Sequence, residues 1–82
     1  MVYKKSVRRD LMKLPHAETL RILATIEEEL TQHPISHPVL KGRFAGLRKL
    51  RIGDYRVIYA IMGNDVVILR IGQRGKVYKE DI

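Results

Sequence analysis

Apolar residues fall into two different rhythms along the 82-residue chain, and the change of rhythm comes near Gly46. Before it, Val7, Leu11 and Leu14 recur at the spacing of one helical face, and Ser6 stands where a hydroxyl can cap the first turn. Pro15 then predicts a helix–helix junction. A second helix is predicted over 16–33, with an apolar stripe of Ala17, Leu20, Leu23, Ala24, Ile26 and Leu30. Pro34 and Pro38 end it and open a loop. Beyond Gly46 the segments 47–52, 55–62 and 66–73 are rich in β-branched and aromatic residues. The short breaks Gly53-Asp54 and Gly63-Asn64-Asp65 between them require antiparallel hairpins. With a short edge strand at 2–5, the order is β-α-α-β-β-β. The expected fold class is α+β, a single domain over 1–82 in which two N-terminal helices pack on one face of a small, mainly antiparallel sheet.

Strand alternation assigns faces. Leu50 and Ile52 share one face, and Lys49 and Arg51 the other. Val57, Tyr59 and Ile61 form a core row, which turns Arg56 outward; Tyr55 shares the parity of that row. A strict two-residue turn at Gly63-Asn64 would drive Arg70 and Arg74 onto the core face, where an unpaired guanidinium is costly. A longer turn or a bulge in the last strand is therefore expected, which brings both arginines to the side of Arg56.

The formal charge is +7, and it is unevenly spread. Residues 1–38 carry six Lys/Arg against five Asp/Glu; residues 39–79 carry ten against two. Such a concentration predicts a polyanionic partner, nucleic acid or an acidic protein segment. There are no cysteines, which excludes a disulfide framework, a thiolate metal site and a thiol nucleophile. His16, His33 and His37 all lie in the helical half. Pro34 separates the last two, so they read as loop residues and no metal site or cofactor is expected. The basic N-terminus is followed by no apolar stretch, and no run reaches the roughly 18 apolar residues of a membrane span. The chain reads as soluble and cytoplasmic, with no membrane partner.

Leu40-Lys41-Gly42, the run Leu50-Arg51-Ile52-Gly53-Asp54-Tyr55-Arg56-Val57-Ile58-Tyr59, and Ile71-Gly72-Gln73-Arg74 followed by Val77-Tyr78 together resemble the RelE/ParE toxin superfamily. The Leu14-Pro15 junction and the loop 34–38 fall in the same order. The resemblance spans essentially the whole chain. It implies a RelE-like microbial-RNase fold, cleavage of messenger RNA at the ribosomal A site, and a cognate RelB-like antitoxin that is small, acidic and partly disordered. It also implies a catalytic set. Arg56 matches the residue holding the scissile phosphate, Arg74 the one stabilising the transition state or leaving group, and Tyr78 the tyrosine orienting the cut nucleotide. Lys49 matches one of two lysines on the preceding strand. The second falls at Leu47, so Arg48, Arg51 or Lys41 is left to share its role. Lys41, Arg43, Arg48, Arg51, Arg70 and Lys76 are the expected RNA-binding cations. The chemistry fits these residue types. An oriented 2′-OH is RNA's own nucleophile; arginine stabilises the phosphorane, and a lysine crowded by other cations can serve as base. Two rival readings share the fold or the charge: a ParE-like inhibitor of DNA gyrase, and a basic RNA-binding module that cuts nothing.

Overall fold

In the computed structural model, residues 1–77 are described. The elements are β1 (Val2–Tyr3), α1 (Lys5–Met12), α2 (His16–Gln32), β2 (Arg48–Ile52), β3 (Tyr55–Met62) and β4 (Asp65–Gln73), with a 3₁₀ turn at Gly42–Phe44 before β2. The sheet runs β1-β4-β3-β2; β1 is parallel to β4 and the other pairs are antiparallel. This is the expected α+β arrangement.

The inner face of the sheet and the helices share one core. Leu50, Ile52, Tyr55, Val57, Tyr59, Ile68 and Ile71 meet Val7, Ile22, Ile26 and Leu30. The stripe of α2 differs from expectation. Ile22, Ile26 and Leu30, one helical repeat apart, are its buried residues, whereas Leu20 is 56% exposed and Ala17 and Ala24 face water. A stripe drawn to admit the alanines rotates the helix away from its bulkiest apolar row, and burial follows apolar area. The tyrosines follow parity: Tyr59 is fully buried, and its hydroxyl donates to Pro34 O at 2.7 Å. Burial, first, and the nearby Glu29 carboxylate raise the Tyr59 pKa, while Arg48 opposes them.

The bulge is present. The β3–β4 turn has only Gly63-Asn64 between the strands, and Gly63 adopts φ +63°, a left-handed conformation that favours glycine. Ile58 faces Arg70 but Tyr59 faces Ile68, which leaves Leu69 as the extra residue of β4. Arg70 thereby moves off the core face.

β1 covers only the first part of the β4 edge, pairing Val2 with Val67 and Tyr3 with Ile68. Side chains of α1 take over from there. Ser6 Oγ donates to Leu69 O at 3.0 Å, and the Ile71 N–H donates to Asp10 Oδ2 at 3.0 Å. Ser6 is therefore not the helix cap: Lys4 holds that position, with no side-chain cap, and Ser6 closes an exposed strand edge instead. The other sheet edge is covered by the loop, where Lys49 N donates to Pro38 O and Leu40 N to Leu47 O.

Tyr3 links β1 to α2, its hydroxyl donating to Glu27 Oε1 at 3.1 Å. Burial chiefly, then this bond and the Glu27 charge, raise its pKa to about 12. The folded state thus prefers neutral Tyr3. Its contribution is complete below the ordinary tyrosine value near 10 and is lost as pH rises through about 12. The parent chain should lose more stability between pH 10 and 12 than Tyr3→Phe does, as read from urea midpoints at both pH values.

Candidate functional site

The outward face of the sheet follows from the register. Lys49, Ile58 and Arg70 form one cross-strand row, and Arg51, Arg56 and Gly72 the next. Parity placed Lys49, Arg51 and Arg56 on this face correctly, but the face is not an open cationic plane. Ile58 is fully buried there and Arg56 is only 5% exposed. Arg56 Nη1 donates to Gly53 O and to Tyr55 O, both at 3.1 Å. The expectation of a solvent-exposed Arg56 is corrected: its guanidinium folds back on the turn between β2 and β3.

That turn gathers the site. Arg74 N donates to Asp54 O at 3.0 Å, so the backbone of Arg74 and the guanidinium of Arg56 are both fastened to Gly53-Asp54. Asp54 is exposed and acts as a turn residue. Gly53 has φ +57°, and a Cβ there would lie 3.3 Å from Arg21 Nη2. Arg21, ion-paired with Glu18 at 2.7 Å, thus brings a further guanidinium to the same end of the sheet. After β4 the chain turns back, with Lys76 N and Val77 N both donating to Gln73 O. Val77 is buried against Gly72, where an added Cβ would come within 3.2 Å of Val77 Cβ. The glycine is what lets this segment lie close to the strand that carries Arg56's row.

The expected residues separate into two groups. Arg56 and Arg74 are brought together at the turn, with Arg51 directly across from Arg56. Lys49 is half-buried in the neighbouring row; Lys41, Arg51, Arg74 and Lys76 are exposed. Arg43 is exposed and lies over the Phe44 ring, 5.1 Å from its centroid. Tyr78 lies outside the described residues. Two of the expected RNA-binding cations make contacts within the fold. Arg48 has the parity of Leu50, and its Nη1 donates to Ile35 O at 3.2 Å and His37 O at 2.9 Å, which ties down the loop 33–38. Arg70 donates through Nε to Asp10 Oδ2 at 3.0 Å and through Nη2 to Asp10 Oδ1 at 2.9 Å. The bulge did rescue Arg70 from the core, but into a largely buried ion pair and not onto an open face. His37 meets the Glu29 carboxylate at 3.0 Å and the edge of the Tyr59 ring, a loop-anchoring role as read from sequence.

Asp10 and Arg21 were missed by the sequence reading. Asp10 had a signal: it lies three residues after Val7 and four before Leu14, on the apolar face of α1, where an acid implies a buried partner. Arg21 had none, because its place depends on how α2 crosses the sheet.

The two helices packed on a mixed, mostly antiparallel four-stranded sheet form the α+β fold of RelE-type toxins. The toxin–antitoxin complex RelBE2 from Mycobacterium tuberculosis contains a chain with 32% sequence identity and a TM-score of 0.79, covering 88% of this chain and 93% of that one. The RelB–RelE complex from Methanococcus jannaschii contains another at 21% identity and TM-score 0.72, covering 96% of each chain. The isolated RelE toxin of Escherichia coli matches at 19% identity and TM-score 0.69, over 95% of this chain and 88% of that one. The family model for the ParE toxin of the type II parDE toxin–antitoxin system matches residues 1–78, and the chain belongs to that family, within the RelE/ParE toxin superfamily. No curated protein sequence matches.

Proposed function

We propose that this protein is a toxin that cuts messenger RNA at the ribosomal A site without a metal cofactor, and that an antitoxin neutralises it. The observation that carries the reading is the fastening of Arg56 and Arg74 to one turn, Gly53-Asp54, at the cationic end of the sheet. Two arginines anchored to one turn, Arg56 by its guanidinium and Arg74 by its backbone, suit a phosphate that gains charge in the transition state, since each side chain offers a planar, permanently charged donor fork. In the proposed step the 2′-oxygen attacks phosphorus while its proton passes to a base, for which Lys49 is the candidate. The bond from phosphorus to the 5′-oxygen breaks, and that oxygen takes up a proton. The products are a 2′,3′-cyclic phosphate and a 5′-hydroxyl. Arg74 holds the phosphate, Arg56 joins it once its guanidinium swings off the Gly53 and Tyr55 carbonyls, Arg51 and Lys41 extend the cationic track, and Tyr78 orients the base.

Among the described residues no three His, Cys, Asp or Glu side chains gather as a metal site would require, and arginine charge takes that place in the mechanism. The purified protein at high concentration should therefore cleave a short RNA in EDTA and leave cyclic phosphate ends. Strict dependence on added magnesium in this ribosome-free assay would refute the mechanism.

The antitoxin reading is supported by the chains of the two complexes that share this fold. It is also supported by an exposed apolar groove between α1 and α2, lined by Val7, Leu11, Met12 and Leu23 and edged by Lys5 and Arg8. An acidic amphipathic segment fits a groove of this kind. In our reading the antitoxin also covers the Lys49–Arg56–Arg74 region or displaces the Tyr78 tail. A second reading, inhibition of DNA gyrase without RNA cleavage, is favoured by the family model being that of ParE toxins.

No helix among the described residues is long and apolar enough to cross a membrane. We place the protein in the cytoplasm, where translating ribosomes are.

A further inference from the structure

The sheet end that holds Arg56 and Arg74 also holds a cavity of about 350 Å³, between the α1–α2 connection and the turn at 73–77. One wall is apolar, formed by Leu14, Pro15, Tyr55, Ile71 and Val77. The rest is polar and cationic: Lys13, Gln73 and Lys76, all exposed, with the Asp10–Arg70 pair in the lining. Among the described lining residues, Lys13, Arg70 and Lys76 set against Asp10 leave a net +2, three positive charges less one negative. The Asp10 carboxylate already accepts from Arg70 Nε, Arg70 Nη2 and Ile71 N, so its charge is compensated within the wall. The two lysines remain to meet an anion.

An apolar wall with an aromatic ring, next to a pair of lysines, matches the two parts of a nucleotide, a planar base and its phosphate. The volume lies at the lower end of the range for small-ligand sites, enough for one such unit. Gln73 and Lys76 line the cavity and stand on either side of Arg74 in the chain, and Tyr55 and Gly72 of its lining neighbour or pair with Arg56, so the cavity lies at the same end of the sheet as the candidate site. We propose that this cavity is a subsite for the nucleotide adjacent to the cut, with its base against Pro15 and Tyr55 and its phosphate between Lys13 and Lys76. The inference rests on the nuclease reading for the word adjacent; the ligand class rests on the cavity alone.

The test is a titration of the full chain with 5′-AMP, and separately with inorganic phosphate, followed by amide NMR. Binding of 5′-AMP should shift Lys13, Gln73 and Lys76, and Lys13→Ala should weaken it about tenfold, the loss of one charge-assisted contact. Arg74→Ala should still bind 5′-AMP, because Arg74 is not among the lining residues. In steady-state cleavage, Lys13→Ala/Lys76→Ala should raise KM about tenfold or more and keep kcat. Unshifted amides, equal binding by the double variant, or inorganic phosphate binding as tightly as 5′-AMP would each overturn the subsite. If 5′-AMP binds as described and RNA is not cut by the parent, the nucleotide site stands and the nuclease reading falls. If RNA is cut and the double variant keeps the parent KM, the subsite falls alone.

Discussion

Arg74→Ala is expected to abolish toxicity while leaving the thermal midpoint unchanged. Its side chain is exposed beyond the end of β4, and the bond that fixes the segment is made by its backbone N–H, which alanine keeps. Folding therefore loses little. The proposed chemistry loses a group poised where charge develops on the phosphate, a change that costs about a hundred- to a thousandfold in kcat when a single such donor is removed. Cell survival on induction and the rate on a short RNA are the two readouts, with circular dichroism melting as the control. Arg56→Ala is a poorer probe. Arg56 is buried and donates to two carbonyls, so its removal mixes site and fold.

Asp10→Ala carries the largest expected effect on stability. The Asp10 carboxylate is buried and accepts three hydrogen bonds, two from Arg70 and one from the Ile71 N–H. Removing it takes a carboxylate partner from an arginine side chain that is 11% exposed, and takes the acceptor from the Ile71 amide. Breaking a buried pair from one side costs about 3–5 kcal/mol. Domains of ordinary stability have about 5–15 kcal/mol in total, and small ones fall at the low end. The variant should lie close to its unfolding midpoint without denaturant. Asp10→Ala/Arg70→Met, which removes both charges, should recover part of the loss. A urea midpoint for Asp10→Ala within error of the parent would show that the pair contributes nothing. Because the pair anchors α1 to the edge of β4, its loss should also loosen the strand that leads into Gly72 and Arg74.

Much of the fold was legible because two independent constraints met in the same residues. The Gly63-Asn64 turn and the apolar row of β3 were incompatible with a regular β4 carrying Arg70, and the bulge at Leu69 is the resolution that both demand. The β2–β3 pairing followed in the same way from Leu50, Ile52 and Val57. What alternation could not supply is what lies over a face. It set Arg56 and Ile58 on the outer side of β3, but both are buried there. Long polar side chains were the other blind spot, since an arginine reaches partners far from its own strand position. Arg48 goes to the loop carbonyls of Ile35 and His37, and Arg70 goes around the sheet edge to Asp10. Strand position alone leaves both looking like free cations, whereas each is engaged within the fold. On α2 it is Ile22 and not Leu20 that is buried, because the alanines at 17 and 24 bury too little area to set the stripe.

The proposed activity is cleavage of translated messages through Arg74 and its neighbours. The most direct measurement is primer-extension mapping of message ends after brief induction, with the parent and Arg74→Ala side by side. New 5′ ends inside codons of translated messages are expected for the parent, and none for Arg74→Ala or for a message whose start codon has been removed. Growth arrest by the parent with intact messages, accompanied either by cleaved chromosomal DNA or by a block in translation without cuts, would contradict it.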